Sequence, residues 1–151
     1  MKVGLAIGQT AEIEVAVSDA MTAAFEGITV HNLYATSALV HHMEFAARKL
    51  ILSYLEPHEE GMDCHVQVSH LAPTLPGMTV TIRATISDIR DNKIQAEVEA
   101  SNIRGKIARG EVTQAIIDKE WLEKRMKELG IVHHLSTNAY AGQQHENTAS
   151  K

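Results

Sequence analysis

The chain has 151 residues, enough for one domain with a sizeable core and little beyond it. Hydrophobic residues make up 44% of it and charged residues 22%, which excludes a wholly disordered chain, a collagen and a disulfide-stapled miniprotein. The formal net charge of -5 comes with no basic stripe, and aromatic residues are only 4%. Neither phosphate neutralisation nor base stacking therefore points to a nucleic-acid partner. The lone Cys64 has no internal disulfide partner, and no apolar run approaches the roughly 20 residues that span a bilayer. The expectation is a soluble, cytoplasmic protein with no membrane partner.

In chain order, Ile13, Val15 and Val17 alternate with other residues from Ala11 to Val17, predicting a short strand. The stretch from Ser18 to Tyr34 reads as a less regular connector. Leu39, Met43, Ala46, Leu50 and Tyr54 then recur at spacings of three and four, the pattern of an amphipathic helix of about 18 residues. Thr36 or Ser37 is its expected cap, and Pro57 marks its end. Beyond it the period changes to two. Cys64, Val66, Val68 and His70 share one strand face, and Pro73 to Gly77 breaks the chain. Val80, Ile82, Ala84 and Ile86 form a second strand, Asp91-Asn92 a tight turn, and Ile94, Ala96, Val98 and Ala100 a third. Arg104-Gly105 signals another turn before a last strand from Lys106 to Ile117.

Asp118 to Leu129 is charged and helix-prone, with Trp121, Met126 and Leu129 available to dock it. Residues 131–151 carry few large apolar side chains and are read as a disordered C-terminal tail after a domain over 1–130; a tail ordered only on a partner is the other reading. One strand, one long helix and four consecutive antiparallel strands predict an α+β chain, a curved antiparallel sheet wrapped around one helix. That is the layout of a hotdog fold. One helix covers only one face of such a sheet, and pairing of the exposed edges with a second subunit predicts a homodimer.

Three polar residues break the apolar pattern. Glu44 lies on or beside the buried helical stripe, where a carboxylate needs a partner or a purpose. It is either a boundary residue, reaching water or pairing with Arg48 one turn on, or a functional acid–base group. His70 extends an apolar strand face to the edge of the Pro-containing loop, either as a satisfied core-edge histidine or as a group exchanging protons near neutral pH. Thr36 needs no role beyond capping, yet a hydroxyl at a helix start sits where negative charge is favoured. An unbroken helix would separate Thr36 and Glu44 by about 12 Å. Direct cooperation then requires an irregular helix start or contacts across a dimer. His41, His42, Glu44, His65 and His70 make a poor metal set, because adjacent histidines cannot both face one ion from a regular helix. Cys64, on an apolar strand face, reads as core filler rather than a nucleophile.

The stretch Tyr34-Ala35-Thr36-Ser37-Ala38-Leu39-Val40-His41-His42-Met43-Glu44 resembles the helix-start motif of hotdog thioesterases similar to fluoroacetyl-CoA thioesterase, in which a Thr precedes a Glu by eight positions. Val68-Ser69-His70-Leu71-Ala72-Pro73-Thr74-Leu75-Pro76-Gly77 is similar to that family's strand-ending segment of His, Ala, Thr, Pro and Gly. The resemblance implies a homodimeric hydrolase of acyl-CoA thioesters that uses no metal or cofactor, CoA entering only as part of the substrate. It places the catalytic Thr, Glu and His on Thr36, Glu44 and His70. Glu44 would act as nucleophile or general base, His70 would polarise the carbonyl or shuttle a proton, and Thr36 would orient Glu44 or water. Three features depart from the family pattern. Gln114 stands where the last strand carries an Arg, and Asp63 where the family has a glycine. Gly27-Ile28-Thr29-Val30 stands in place of a phenylalanine-lined lid. The first two motivate the alternative of a non-catalytic acyl-CoA-binding hotdog module. A dehydratase on the same fold and a purely structural interaction domain rank below it.

Overall fold

A computed structural model describes residues 1–130; the expected C-terminal tail, 131–151, lies outside the described residues. Residues 1–119 make one compact unit, and the described residues 120–130 fall outside it. The elements are β1 (Thr10–Ala16), β2 (Thr22–Phe25), β3 (Ile28–Tyr34), α1 (Thr36–Ile51), β4 (Glu59–His70), β5 (Thr79–Arg90), β6 (Lys93–Asn102), β7 (Gly105–Asp118) and α2 (Lys119–Glu128). Five strands form one antiparallel sheet in the order β1-β5-β6-β7-β4. The α+β layout expected from the sequence is therefore the observed one.

Period-two alternation decides which side chains enter the core. On β5, Val80, Ile82, Ala84 and Ile86 are buried; on β6, Ile94, Ala96, Val98 and Ala100 are buried. They meet the stripe of α1 made by Leu39, Met43, Ala46, Ala47, Leu50 and Ile51. The tight turn after Arg90 puts Asp91 in the left-handed region at φ 52, a conformation that Asp tolerates better than most residues. Gly105 opens β7 at φ 121, which only glycine adopts without strain.

Three sequence expectations are corrected. The connector from Ser18 to Tyr34 contains a hairpin, β2 paired with β3, turning on Glu26-Gly27 with both residues at positive φ. Its two strands are short, shift register twice and are largely exposed, so no apolar alternation announces them. The helix is 16 residues long and ends at Ile51, where Tyr54 and Leu55 both donate to the Ile51 carbonyl in a closing turn. Its cap is Ala35, which offers no side-chain hydrogen bond, and Thr36 is the first helical residue. Described by itself, α2 forms where the sequence expects a helix, with no buried residue and an Arg125–Glu128 ion pair of 2.7 Å.

Leu39 is completely buried between α1 and the sheet. Leu39→Ala is expected to cost about 3 kcal/mol, seen as a lower midpoint of urea unfolding with an unchanged slope.

Candidate active site

Helix α1 runs antiparallel to β4 and is tied to it at both ends. At the helix start, the Thr36 hydroxyl lies 2.9 Å from His70 Nδ1. At the other end, Arg48 Nη1 donates to the Gly61 carbonyl at 3.1 Å, and Arg48 Nη2 pairs with Glu60 at 2.7 Å. The absence of a side chain at Gly61 permits this approach, because a Cβ there would strike Ile51.

The structure thus brings Thr36 and His70 together. His70 closes β4, and the backbone beyond it is pinned by Leu71 and Ala72, both donating to the Ile107 carbonyl. Burial pushes the proton affinity of His70 down, the Ala72 carbonyl opposes this, and His31 adds to the lowering. The ring is therefore neutral at pH 7, with one nitrogen donating and the other accepting. Its Nε2 is buried and meets no hydrogen-bond partner among the described residues. Whether the Thr36 hydroxyl or Nδ1 donates follows the histidine tautomer: in the Nε2–H tautomer the Thr36 hydroxyl donates to Nδ1, and Nε2 is the nitrogen left to donate to an incoming carbonyl oxygen.

Two neighbours escaped the sequence reading. Tyr34 is 1% exposed, and its hydroxyl lies 2.6 Å from His42 Nδ1. The Tyr34 ring stacks on His42 with centroids 6.0 Å apart and meets His70 edge-on at 6.4 Å. Burial holds the phenol far above its ordinary range, so it stays protonated. Burial, then the neighbouring His41, lowers the proton affinity of His42, while the Ala38 backbone opposes them. Tyr34 is also fixed through its backbone, its N–H donating to the Thr74 carbonyl at 2.9 Å. Thr74 is itself buried, and its hydroxyl accepts from Asn102 at 3.0 Å. The signal available in the sequence was a Tyr just before the helix with a His eight residues on.

Glu44 stands apart from this cluster. The helix is unbroken between Thr36 and Glu44, which leaves them about 12 Å apart along the axis. Of the alternatives weighed for Glu44, the pairing with Arg48 does not form, since Arg48 is spent on Glu60 and Gly61. Half-buried Glu44 makes no hydrogen bond or ion pair among the described residues. Burial raises its proton affinity, Asp63 on β4 raises it further, and His41 partly opposes them. Asp63 in turn accepts a 2.8 Å hydrogen bond from Nε2 of Gln114, its ladder partner on β7. The two residues that depart from the family pattern are therefore one bonded pair. Cys64 is corrected as well: it occupies a bulge in β4, is exposed rather than core filler, and has its Sγ 3.4 Å from the Thr113 carbonyl.

Because His42 and His70 take up protons less readily when folded than at the ordinary value of 6.5, the unfolded chain binds more protons as pH falls through 6.5. Their contribution to stability is present above 6.5 and is lost as pH falls through the lower folded-state values. His42→Gln keeps an acceptor for Tyr34 and removes one of the two depressed groups. It is expected to flatten the loss of stability below pH 6.5, read from urea midpoints taken across that window.

Residues 17–120 match the family described as fluoroacetyl-CoA-specific thioesterase. The fluoroacetyl-CoA thioesterase of Streptantibioticus cattleyicolor is 29% identical over 96 residues, covering 64% of this chain and 69% of that protein. A Thermus thermophilus protein described as a thioesterase superfamily member superposes with a TM-score of 0.81 at 39% identity, covering 85% of this chain and 95% of that one. A variant of the fluoroacetyl-CoA-specific thioesterase, solved in complex with fluoroacetate and CoA, superposes at 0.73 with 26% identity, covering 78% of this chain and 98% of that one. With residues 17–120 matched and the sheet-and-helix layout in agreement, the chain belongs to the fluoroacetyl-CoA-specific thioesterase family of hotdog hydrolases.

Proposed function

We propose that this thioester hydrolase acts on a small or medium acyl-CoA as a cytoplasmic homodimer, with Thr36 and His70 of one protomer and Glu44 of the partner subunit meeting at one thioester. The observation that carries the reading is His70: it is held through Nδ1 by Thr36, while its buried Nε2 has no hydrogen-bond partner among the described residues. The separation along α1 supports the dimer. The continuous helix, about 12 Å from Thr36 to Glu44 along its axis, supports a second copy as the source of the carboxylate. Edge strand β4 carries His70 and leaves its outer backbone groups open to such a neighbour. The CoA-bound relative supports the substrate class. No helix among the described residues is long and apolar enough to cross a membrane.

The chemistry follows from the protonation states. His70 Nε2–H donates to the thioester carbonyl oxygen and polarises it. The first turn of α1 lends its unpaired N–H groups and positive dipole end to the oxyanion that develops. The Glu44 carboxylate takes a proton from water as the water oxygen adds to the carbonyl carbon. The tetrahedral intermediate then collapses, the C–S bond breaks, and the CoA sulfur leaves with the proton that Glu44 returns. The products are a carboxylic acid and free CoA. The raised proton affinity of Glu44 favours this base role over direct attack, because the carboxylate is a stronger base than an exposed one.

Glu44→Gln and His70→Ala are each expected to lower acyl-CoA turnover by about 10²–10⁴-fold while leaving a folded dimer. Mixing the two inactive variants is the sharper test. A shared site regenerates one intact centre in each mixed dimer, giving about a quarter of wild-type turnover. A site wholly within one chain gives none. Saturable acyl-CoA binding with no thiol release from any acyl group in the wild type would favour the non-catalytic module instead.

A further inference from the structure

Glu44 needs an environment that keeps it basic, and the chain builds one from residues the reaction itself does not consume. The antiparallel run of α1 along β4 fixes the geometry. Arg48 is bonded to the Gly61 carbonyl. One helical turn back from Arg48, about 6 Å, is Glu44, and two strand residues on from Gly61, about 6.6 Å, is Asp63. Gly61 and Asp63 have the same strand parity, so Asp63 comes level with Glu44 as the two elements pass.

Asp63 is held there. Its ladder partner Gln114 is 2% exposed and donates Nε2–H to Asp63 Oδ1 at 2.8 Å. The Gln114 Oε1 is buried without a donor, so the amide makes a single side-chain hydrogen bond, and that bond is to the carboxylate. A buried, half-satisfied amide is costly in a fold. As a neutral group, Gln114 fixes the position of Asp63 without cancelling its charge, which a guanidinium at the same place would do.

We propose that Asp63, clamped by Gln114, is a positioning residue that equips Glu44 to serve as the base by setting a second, fixed carboxylate beside it. The proposal rests on the reading of Glu44 as the base. The charges around Glu44 are consistent with it. On its own helix His41 acts in the opposite sense, and Arg48 is engaged by Glu60 and the Gly61 carbonyl. From β4 the facing charge is Asp63, and β7 contributes the neutral Gln114. Strands β5 and β6 turn apolar residues toward the helix, and β1 turns Ile13 and Val15 inward with Glu12 and Glu14 exposed. Burial accounts for the largest part of the raised proton affinity of Glu44 and Asp63 for the next largest.

The test uses Asp63→Asn, nearly isosteric and exposed, with Gln114→Met as a second variant that keeps volume but removes the clamp. Two readouts are taken on the intact homodimer: the titration of the Glu44 carboxyl by ¹³C NMR, assigned with Glu44→Gln, and the acid limb of kcat/KM for acyl-CoA hydrolysis. Removing the Asp63 charge makes Glu44 release its proton more readily. Both the titration and the acid limb are therefore expected to move to lower pH, with turnover at pH 7 falling about twofold, and Gln114→Met moving both less far in the same direction. If neither moves in Asp63→Asn, the proposal is overturned while Glu44 remains the base. If the titration moves and the acid limb stays, Glu44 is not the base, and both the role of Asp63 and the reading it rests on fall.

Discussion

Sixteen residues of uninterrupted helix hold Thr36 and Glu44 more than two turns apart, and no side-chain rotation within one chain closes that distance. The helix is also tied to β4 at both ends, through Thr36–His70 and through Arg48 to Gly61 and Glu60. The consequence is two separate polar clusters along one interface between α1 and β4, the two halves of the proposed site. One half is a neutral histidine with a free buried nitrogen, and the other is an unpaired carboxyl beside a second carboxylate. In the proposed dimer, two-fold symmetry joins the first half of each copy to the second half of the other.

The polar groups at the helix start form a supported cluster rather than a set of isolated anomalies. Tyr34 is buried, protonated and bonded to His42, while its ring edge contacts His70. The Tyr34 backbone leans on Thr74, and Thr74 on Asn102, so the loop after β4 and the start of α1 are locked to one another. In the proposed role of His70 such support matters, because an imidazole that acts on a transition state must be held in one orientation. The energy for it comes from the apolar core in which β5 and β6 pack against α1.

The second half of the site shows how neutral and charged substitutions act together. Asp63 alone would place a negative charge near a phosphate-bearing substrate, and Gln114 alone would lack the fork and charge of an arginine. Bonded to each other across the β4–β7 ladder, they form one unit whose charge stays on Asp63 and faces Glu44. Neither residue read singly in the sequence suggests this, because 51 positions separate them.

Much of the fold was legible in the sequence by itself. Period-two and period-3.6 patterns identified β1, α1 and the four strands that follow, because burying one face is a local demand written into neighbouring residues. The same logic exposed Thr36, Glu44 and His70, which are polar where the pattern asks for apolar. The β2–β3 hairpin was not legible, since its strands are short, exposed and irregular in register. The pairing of Thr36 with His70, of Tyr34 with His42 and of Asp63 with Gln114 was decided only by the tertiary structure. So was the loss of Arg48 from Glu44. Each depends on which strand lies beside which helix and at what offset, a long-range relation that the spacing of residues along a single element does not contain.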